Sequence, residues 1–161
     1  MKTRPGWNET RHAFAWDGSW RDIYVLETTA DDWNRLPEAF TAARYDLAFH
    51  VNGEPRTPPE DLAAIIAHHD DVHYLALGLS STVTIDCHFF AIEEIEFSID
   101  PRKIQSEREF ESLLSFMELL GTTVKKPVVL TPENESQFAL LTFDPETDLW
   151  TRTQAAAGGT R

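Results

Sequence analysis

The clearest strand pattern in the chain is HYLALGLSSTVTIDCHFFAIEEIEFSI, residues 73–99. Apolar and polar residues alternate along it in three runs, which predicts antiparallel strands at His73–Leu79, Val83–Phe89 and Glu93–Ile99. A loop at residues 80–82 gives the first two strands one wholly apolar face, whereas a two-residue turn would mix polar with apolar residues on both faces. The predicted register therefore pairs Leu79 with Val83, Leu77 with Ile85, and Leu75 with Cys87.

The third strand is placed by the same argument. With residues 90–92 as the turn, Cys87 faces Ile95 and Ile85 faces Phe97, so the apolar face continues across all three strands. The opposite, outward face then carries a polar set: Tyr74, Thr84, Asp86, His88, Glu94, Glu96 and Ser98.

Two acidic side chains meet on this outward face. In the predicted register Asp86 lies opposite Glu96, and His88 lies opposite Glu94. Carboxylates that face each other across a strand pair lower stability by a few tenths to about 1 kcal/mol. A sequence selected for stability alone would more readily place a lysine or a threonine there, so this face is the predicted functional surface.

The rest of the chain predicts helices packed on one face of a largely antiparallel sheet, an α+β fold. Turn residues Asp17-Gly18 indicate a hairpin between residues 14–16 and 20–26, and Pro37 should kink or divide a helix that Thr29 begins. The other predicted elements are a strand at 45–51, helices at 58–69 and 106–121, and strands at 127–130 and 138–143. We expect one domain over residues 1–150 and a disordered tail over residues 151–161.

The net charge of −13 restricts the possible partners. A charge of this size and sign repels phosphate backbones and anionic membranes, so we expect no nucleic-acid and no membrane partner. It either serves solubility or attracts a basic protein and raises the association rate. The polar residues 1–11 do not resemble a signal peptide, and the single cysteine fits a reducing compartment, which predicts a cytoplasmic protein.

The sequence shows weak signs of site chemistry. His68, His69 and His73 flank two aspartates, but adjacent histidines on a helix point about 100° apart, so no metal is expected there. Cys87 in a strand is typical of a small buried hydrophobe, with a reactive thiol as the alternative. No phosphate-binding glycine motif or nucleophile elbow is present, and we expect no cofactor.

Two resemblances add to this interpretation. Residues 1–8, 20–25, 87–90 and 126–134 together resemble a group of small uncharacterised bacterial proteins, a likeness that implies no catalytic residues. In size, acidity and α+β composition the chain also resembles immunity proteins of bacterial toxin systems.

The leading hypothesis is therefore an acidic protein-binding domain, most concretely an immunity-type inhibitor of a basic bacterial toxin. Its predicted partner-binding residues are Tyr74, Asp86, His88, Glu94 and Glu96. One alternative is a small enzyme that uses His88 with Asp86, Glu94 and Glu96 as acid and base groups. Another is a scaffold protein without a discrete site. The oligomeric state is left open.

Overall fold

The computed structural model describes residues 3–68 and 70–153. Within these residues, nine antiparallel strands form one sheet in the order β3-β2-β4-β5-β6-β1-β7-β8-β9. The strands are β1 Arg21–Leu26, β2 Asp46–Val51, β3 Glu54–Pro55, β4 His73–Gly78, β5 Thr84–Ala91, β6 Glu94–Ile99, β7 Val128–Pro132, β8 Leu141–Asp144 and β9 Leu149–Arg152. The α-helices are α1 Trp7–Thr10, α2 Ala30–Asn34, α3 Leu36–Ala42, α4 Ala63–Ala67 and α5 Glu107–Val124, and 3-10 helices span Arg11–Phe14 and Pro101–Lys103. The predicted α+β class is confirmed.

The helices pack against one face of the sheet. Every second residue along the central strands points toward the helices. These residues and the apolar stripe of α5 form a single buried core. Phe40 of α3 and Phe116 of α5 both contact Phe97 of β6, at ring-centroid distances of 6.0 and 5.1 Å. The polar residues that alternate with these core residues therefore lie on the opposite face of the sheet from the helices.

Local signals placed the starts of α2 and α5 correctly. Thr29 and Asp32 form the predicted capping box of α2, and Ser106 accepts the Glu109 backbone N–H at the start of α5. Pro37 divides the helix that Thr29 begins, as predicted. Helix α2 ends at Asn34, and α3 carries Pro37 in its first turn. Helix α4 is shorter than the predicted helix 58–69, whose residue His69 lies outside the described residues.

The register of β4 against β5 is confirmed, while that of β5 against β6 is wrong by two residues. Leu75 pairs with Cys87 and Leu77 with Ile85, as predicted. Cys87, however, pairs with Phe97 instead of Ile95, and a bulge lies between His88 and Ala91. A shift of two residues keeps every side chain on its predicted face.

The physical reason is a set of hydrogen bonds to the β5–β6 turn. The carbonyl of Ile92 accepts hydrogen bonds from the Thr28 hydroxyl (2.7 Å) and from the indole N–H of Trp33 (2.9 Å). The Thr28 backbone N–H also donates to the carbonyl of Glu93. These contacts hold a tight turn at Ile92 and Glu93, and the bulge in β5 absorbs the additional residue.

The predicted N-terminal hairpin is wrong. Phe14 ends a 3-10 helix, and β1 lies inside the sheet, between β6 and β7, instead of pairing with the preceding segment. The cause is Arg21, whose buried guanidinium donates to the carbonyls of Ala13 (2.7 Å) and Ala15 (2.8 Å). These carbonyls are thereby satisfied without a strand partner, and Gly18 turns the chain with a φ of +92°.

The sheet extends further along the chain than predicted. Strand β9 was not predicted, and it includes Thr151 and Arg152, which belong to the predicted disordered tail. Trp150 of β9 packs on Phe143 at a centroid distance of 5.1 Å, so an apolar contact continues the sheet past residue 150. Residues 154–161 of that predicted tail lie outside the described residues.

Among the described residues, no helix is both long enough and apolar enough to cross a membrane.

Candidate functional site

The polar face of the sheet contains an elongated row of neighbouring side chains. Across adjacent strands Asp86 pairs with Ser98, Ser98 with Asp22, and Asp22 with Thr131. One step along the strands, Glu96 lies between His88 on β5 and Tyr24 on β1. Strand pairing alone therefore brings three carboxylates together near the middle of the sheet.

These side chains line a groove of about 390 Å³ that we call the acidic groove. It is bordered by aromatic side chains and by the segment after β7, and its lining residues are Trp20, Asp22, Asp86, His88, Phe90, Glu96, Ser98, Glu133 and Asn134. Phe90 is 68% exposed at its edge, while Asp22 and Glu96 in its floor are only 4% and 6% exposed. Aromatic edges over a carboxylate floor suit a cationic guest.

Tyr24 lies beside both Asp22 and Glu96. The Tyr24 hydroxyl donates to Asp22 Oδ2 at 3.2 Å and also interacts with Glu96. The backbone N–H of Asn134 donates to the same Asp22 oxygen at 2.7 Å, which ties the β7–β8 connection to the groove floor. Burial, together with the hydrogen bond to Glu96, raises the pKa of Tyr24, so the phenol remains a donor at neutral pH.

The pKa of Glu96 is raised above its ordinary value. Burial is the main cause, and the negative charge of Asp22 adds to it, while the Tyr24 hydrogen bond and His88 oppose the rise. Ionised Glu96 is therefore disfavoured in the folded protein relative to the unfolded chain. A cation entering the groove would reverse this effect by stabilising the carboxylate.

The remaining polar side chains of the groove are held in place by specific contacts. The Tyr74 hydroxyl donates to Asp86 Oδ1 at 2.8 Å. His88 Nε2 and Ser98 Oγ share a hydrogen bond of 2.8 Å, and the imidazole stacks on Phe90 at 5.2 Å with an interplanar angle of 5°. The arrangement is thus ordered before any ligand arrives.

The carboxylates of the groove differ from the other buried acids of the protein. Asp32, which is 1% exposed, forms an ion pair with Lys126 at 2.7 Å, and Glu118 forms one with Arg4 at 2.6 Å. No lysine or arginine of the described part of the chain forms an ion pair with Asp22, Asp86 or Glu96. The groove therefore concentrates negative charge that the fold does not neutralise.

The structure brings four of the five predicted site residues together: Tyr74, Asp86, His88 and Glu96. Glu94 stands apart, because it pairs with Ala91 beyond the bulge and with Leu26 of β1. The predicted opposition of Asp86 to Glu96 is wrong, since Asp86 faces Ser98. His88 likewise faces Glu96 instead of Glu94.

Sequence reasoning missed Asp22, Tyr24 and Trp20, which enter the site from β1 and the residue before it. The alternation of Asp22 and Tyr24 with the buried Ile23 and Val25 was visible in the sequence. Its meaning depended on knowing that β1 lies beside β6. Glu133 and Asn134 carried no comparable signal.

The described residues contain no group of three or more histidine, cysteine or acidic side chains arranged to hold a metal ion. His73, part of the histidine-rich segment, stacks on Phe49 at 6.2 Å, and His69 lies outside the described residues. Cys87 is buried in the core, where burial and the nearby carboxylates Glu96 and Asp86 raise the pKa of its thiol. A reactive thiolate at Cys87 is therefore disfavoured.

No protein-family model matches the chain, and no curated protein or solved structure is significantly similar to it. Functional inference therefore starts from the geometry of the acidic groove.

Replacing Glu96 with glutamine is expected to stabilise the protein at pH 7 by about 0.5–1 kcal/mol, because it removes a buried charge beside Asp22. The folded-state pKa of Glu96 lies above its ordinary value of 4.5, so its contribution to stability is greatest below that pH and declines as the pH rises. Urea unfolding of Glu96→Gln should thus show a gain at pH 7 that vanishes near pH 4. Glu94→Gln is the control, and an equal gain in both variants would contradict the assignment.

Proposed function

We propose that the protein binds a basic protein partner through the acidic groove, most concretely as an immunity-type inhibitor that covers a basic bacterial toxin or nuclease. The observation that carries the proposal is the pair of buried carboxylates, Asp22 and Glu96, joined by Asp86 and without a lysine or arginine ion-pair partner among the described residues. A lysine or arginine side chain of the partner would supply the missing charge.

The energetics favour such a guest. The cost of removing Asp22 and Glu96 from water is already incurred when the protein folds, so this part of the desolvation penalty does not recur on binding. Tyr24 and Asn134 hold Asp22 in place, and His88 is held by Ser98 and Phe90, so little side-chain entropy is lost. A guanidinium group can also stack on Trp20 or Phe90 while it approaches the carboxylates.

The surroundings of the groove suit a protein partner. Exposed apolar side chains lie on the same sheet face, among them Tyr74 (44% exposed), Phe90 (68%) and Leu26 (43%). Aromatic residues around a charged centre are the usual anchors of protein interfaces. The net charge of −13 would attract a basic protein over long distances and raise its association rate at low salt.

A second candidate function is acid-base or nucleophilic catalysis, which the 2.8 Å contact between His88 and Ser98 favours. The three surrounding carboxylates, however, would destabilise the oxyanion that attack by a serine creates. Glu94, part of the predicted acid-base set, does not line the groove. Binding is therefore the function that the geometry supports better, and the scaffold hypothesis predicts no ligand at all.

The test uses a pentapeptide with a central arginine and its citrulline counterpart, which has nearly the same shape but no charge. In two-dimensional NMR titrations the arginine peptide should shift the signals of Trp20, Asp22, Asp86, His88 and Glu96, and the citrulline peptide should bind at least about tenfold more weakly. The double variant Asp86→Asn with Glu96→Gln should weaken arginine binding by about tenfold or more and flatten its salt dependence. Neutral isosteres are used because Glu96 is too buried to accept a lysine.

The matched control is Glu38→Gln with Glu60→Gln, which removes the same charge from two exposed positions outside the groove. Equal weakening by both double variants would attribute binding to net charge and overturn the site. A neighbouring gene for a basic toxin, with a complex that Asp86→Asn and Glu96→Gln disrupt, would extend the result to the inhibitor proposal. An intact complex in that double variant would refute it.

A further inference from the structure

A second cavity, of about 670 Å³, lies where the N-terminal helices meet the segment before α5. We call it the N-terminal pocket; its lining residues are Trp7, Arg11, His12, Phe14, Ala15, Trp16, Arg102, Ile104 and Gln105. Its volume falls in the range of small-molecule sites, and it combines aromatic walls with a few polar groups, as such sites commonly do.

The lining of the N-terminal pocket is basic, although the protein as a whole is acidic. Two arginines and a histidine line it, and no carboxylate does, although the chain carries a net charge of −13. The side chains of Arg11 and His12 form no hydrogen bond or ion pair with the described residues. Cationic donors in the lining of an aromatic cavity are suited to an anion.

The third cation of the pocket, Arg102, lies over an indole ring. Asp100 binds the Arg102 guanidinium at Nη2 (2.9 Å) and at Nε (3.0 Å). This pair fixes the guanidinium carbon 3.9 Å from the centroid of Trp16, whose side chain is 49% exposed. Trp7, another lining residue, packs on Phe110 at a ring-centroid distance of 5.5 Å. The pocket therefore offers flat, ordered surfaces against which a planar ring can stack.

We infer that the N-terminal pocket binds a small organic anion that carries a flat aromatic or heteroaromatic ring. The ring stacks among Trp7, Trp16 and the Arg102 guanidinium, and the anionic group, a phosphate or a carboxylate, meets Arg11 and His12. Gln105 adds a side-chain amide to the lining. This site is separate from the acidic groove, with which it shares no lining residue, and it has the opposite charge preference.

The experiment measures NMR shifts of the five tryptophan indole N–H signals, with the buried Trp33 as internal reference. The probes are adenosine monophosphate, indole-3-carboxylate, adenosine and inorganic phosphate. We expect Trp7 and Trp16 to shift with a probe that has both a ring and an anionic group, at least about tenfold more tightly than with adenosine or phosphate alone. The stronger of the first two probes identifies the anionic group.

Variants complete the test. Arg11→Gln is expected to weaken binding of the stronger probe by about tenfold, whereas Arg56→Gln, at an exposed arginine far along the chain, should leave it unchanged. The inference would be overturned if neither adenosine monophosphate nor indole-3-carboxylate binds more tightly than adenosine and phosphate. Equal loss in both variants, or no shift of Trp7 and Trp16 at millimolar probe, would also overturn it. Trp16→Phe keeps a ring in the wall and should retain most of the affinity; a complete loss would contradict the stacking arrangement.

Discussion

Replacing Trp33 with alanine is expected to lower the free energy of unfolding by about 4 kcal/mol, the usual range for a fully buried tryptophan. The side chain is 0% exposed, packs on Phe89 at 5.6 Å, and donates its indole N–H to the carbonyl of Ile92. The loss should appear in urea unfolding followed by circular dichroism and as a decrease in Tm of roughly 10 °C.

Two companion variants separate packing from the hydrogen bond. Trp33→Phe removes the indole donor but leaves Ile92 with the Thr28 hydroxyl, so a loss of only about 1–2 kcal/mol is expected. Trp16→Ala, at a residue that is 49% exposed, should lower stability by less than about 1 kcal/mol. A Trp33→Ala loss as small as that of Trp16→Ala would show that Trp33 does not secure the β5–β6 turn.

Trp33→Ala is also expected to disturb the acidic groove. Trp33 and Thr28 hold the turn that sets the register of β5 against β6, and this register places His88 beside Glu96. Trp33→Ala should therefore also shift the NMR signals of His88 and Glu96, although Trp33 contributes no atom to the acidic groove.

Replacing Arg21 with methionine is expected to lower the free energy of unfolding by about 3 kcal/mol. The Arg21 guanidinium is buried and donates to four backbone carbonyls, those of Ala13, Ala15, Ser19 and Trp20. Methionine has a similar length but leaves these carbonyls without their donor. Thermal unfolding gives the loss, and amide hydrogen exchange should rise in residues 11–20.

The controls for Arg21 test its geometry. Arg21→Lys keeps the charge but not the planar fork that reaches four backbone carbonyls, so we expect it to recover only part of the stability. Arg56→Met removes an exposed arginine, paired with Glu54, and should change stability by less than about 0.5 kcal/mol. Full stability of Arg21→Lys would indicate that charge alone suffices, contrary to the hydrogen-bond argument.

The buried carboxylates of the acidic groove are expected to lower the free energy of unfolding of the protein. Asp32 and Glu118 are buried acids with cationic partners, whereas Asp22 and Glu96 are buried together. Function is commonly found where a fold retains groups that lower its own stability. If Glu96→Gln stabilises the protein and also weakens binding of an arginine peptide, Glu96 contributes to binding at the expense of stability.

Features that depend on residues close together in the chain could be predicted before the fold was known. Alternation in residues 73–89 set the register of β4 against β5, because a slip of one residue would expose Leu75 and Leu77. The caps at Thr29 and Ser106 were likewise readable, since each involves a partner three residues away. The face on which Asp86, His88 and Glu96 lie follows from the same alternation.

Which strands adjoin that face depends on contacts between residues far apart in the chain. Arg21 folds the N-terminal segment away from β1, and β1 then inserts beside β6 and adds Asp22 and Tyr24 to the site. Thr28 and Trp33, 64 and 59 residues before Ile92, shift β5 against β6 by two residues. Alternation cannot detect a shift of two, because a strand has a period of two and both registers bury the same side chains.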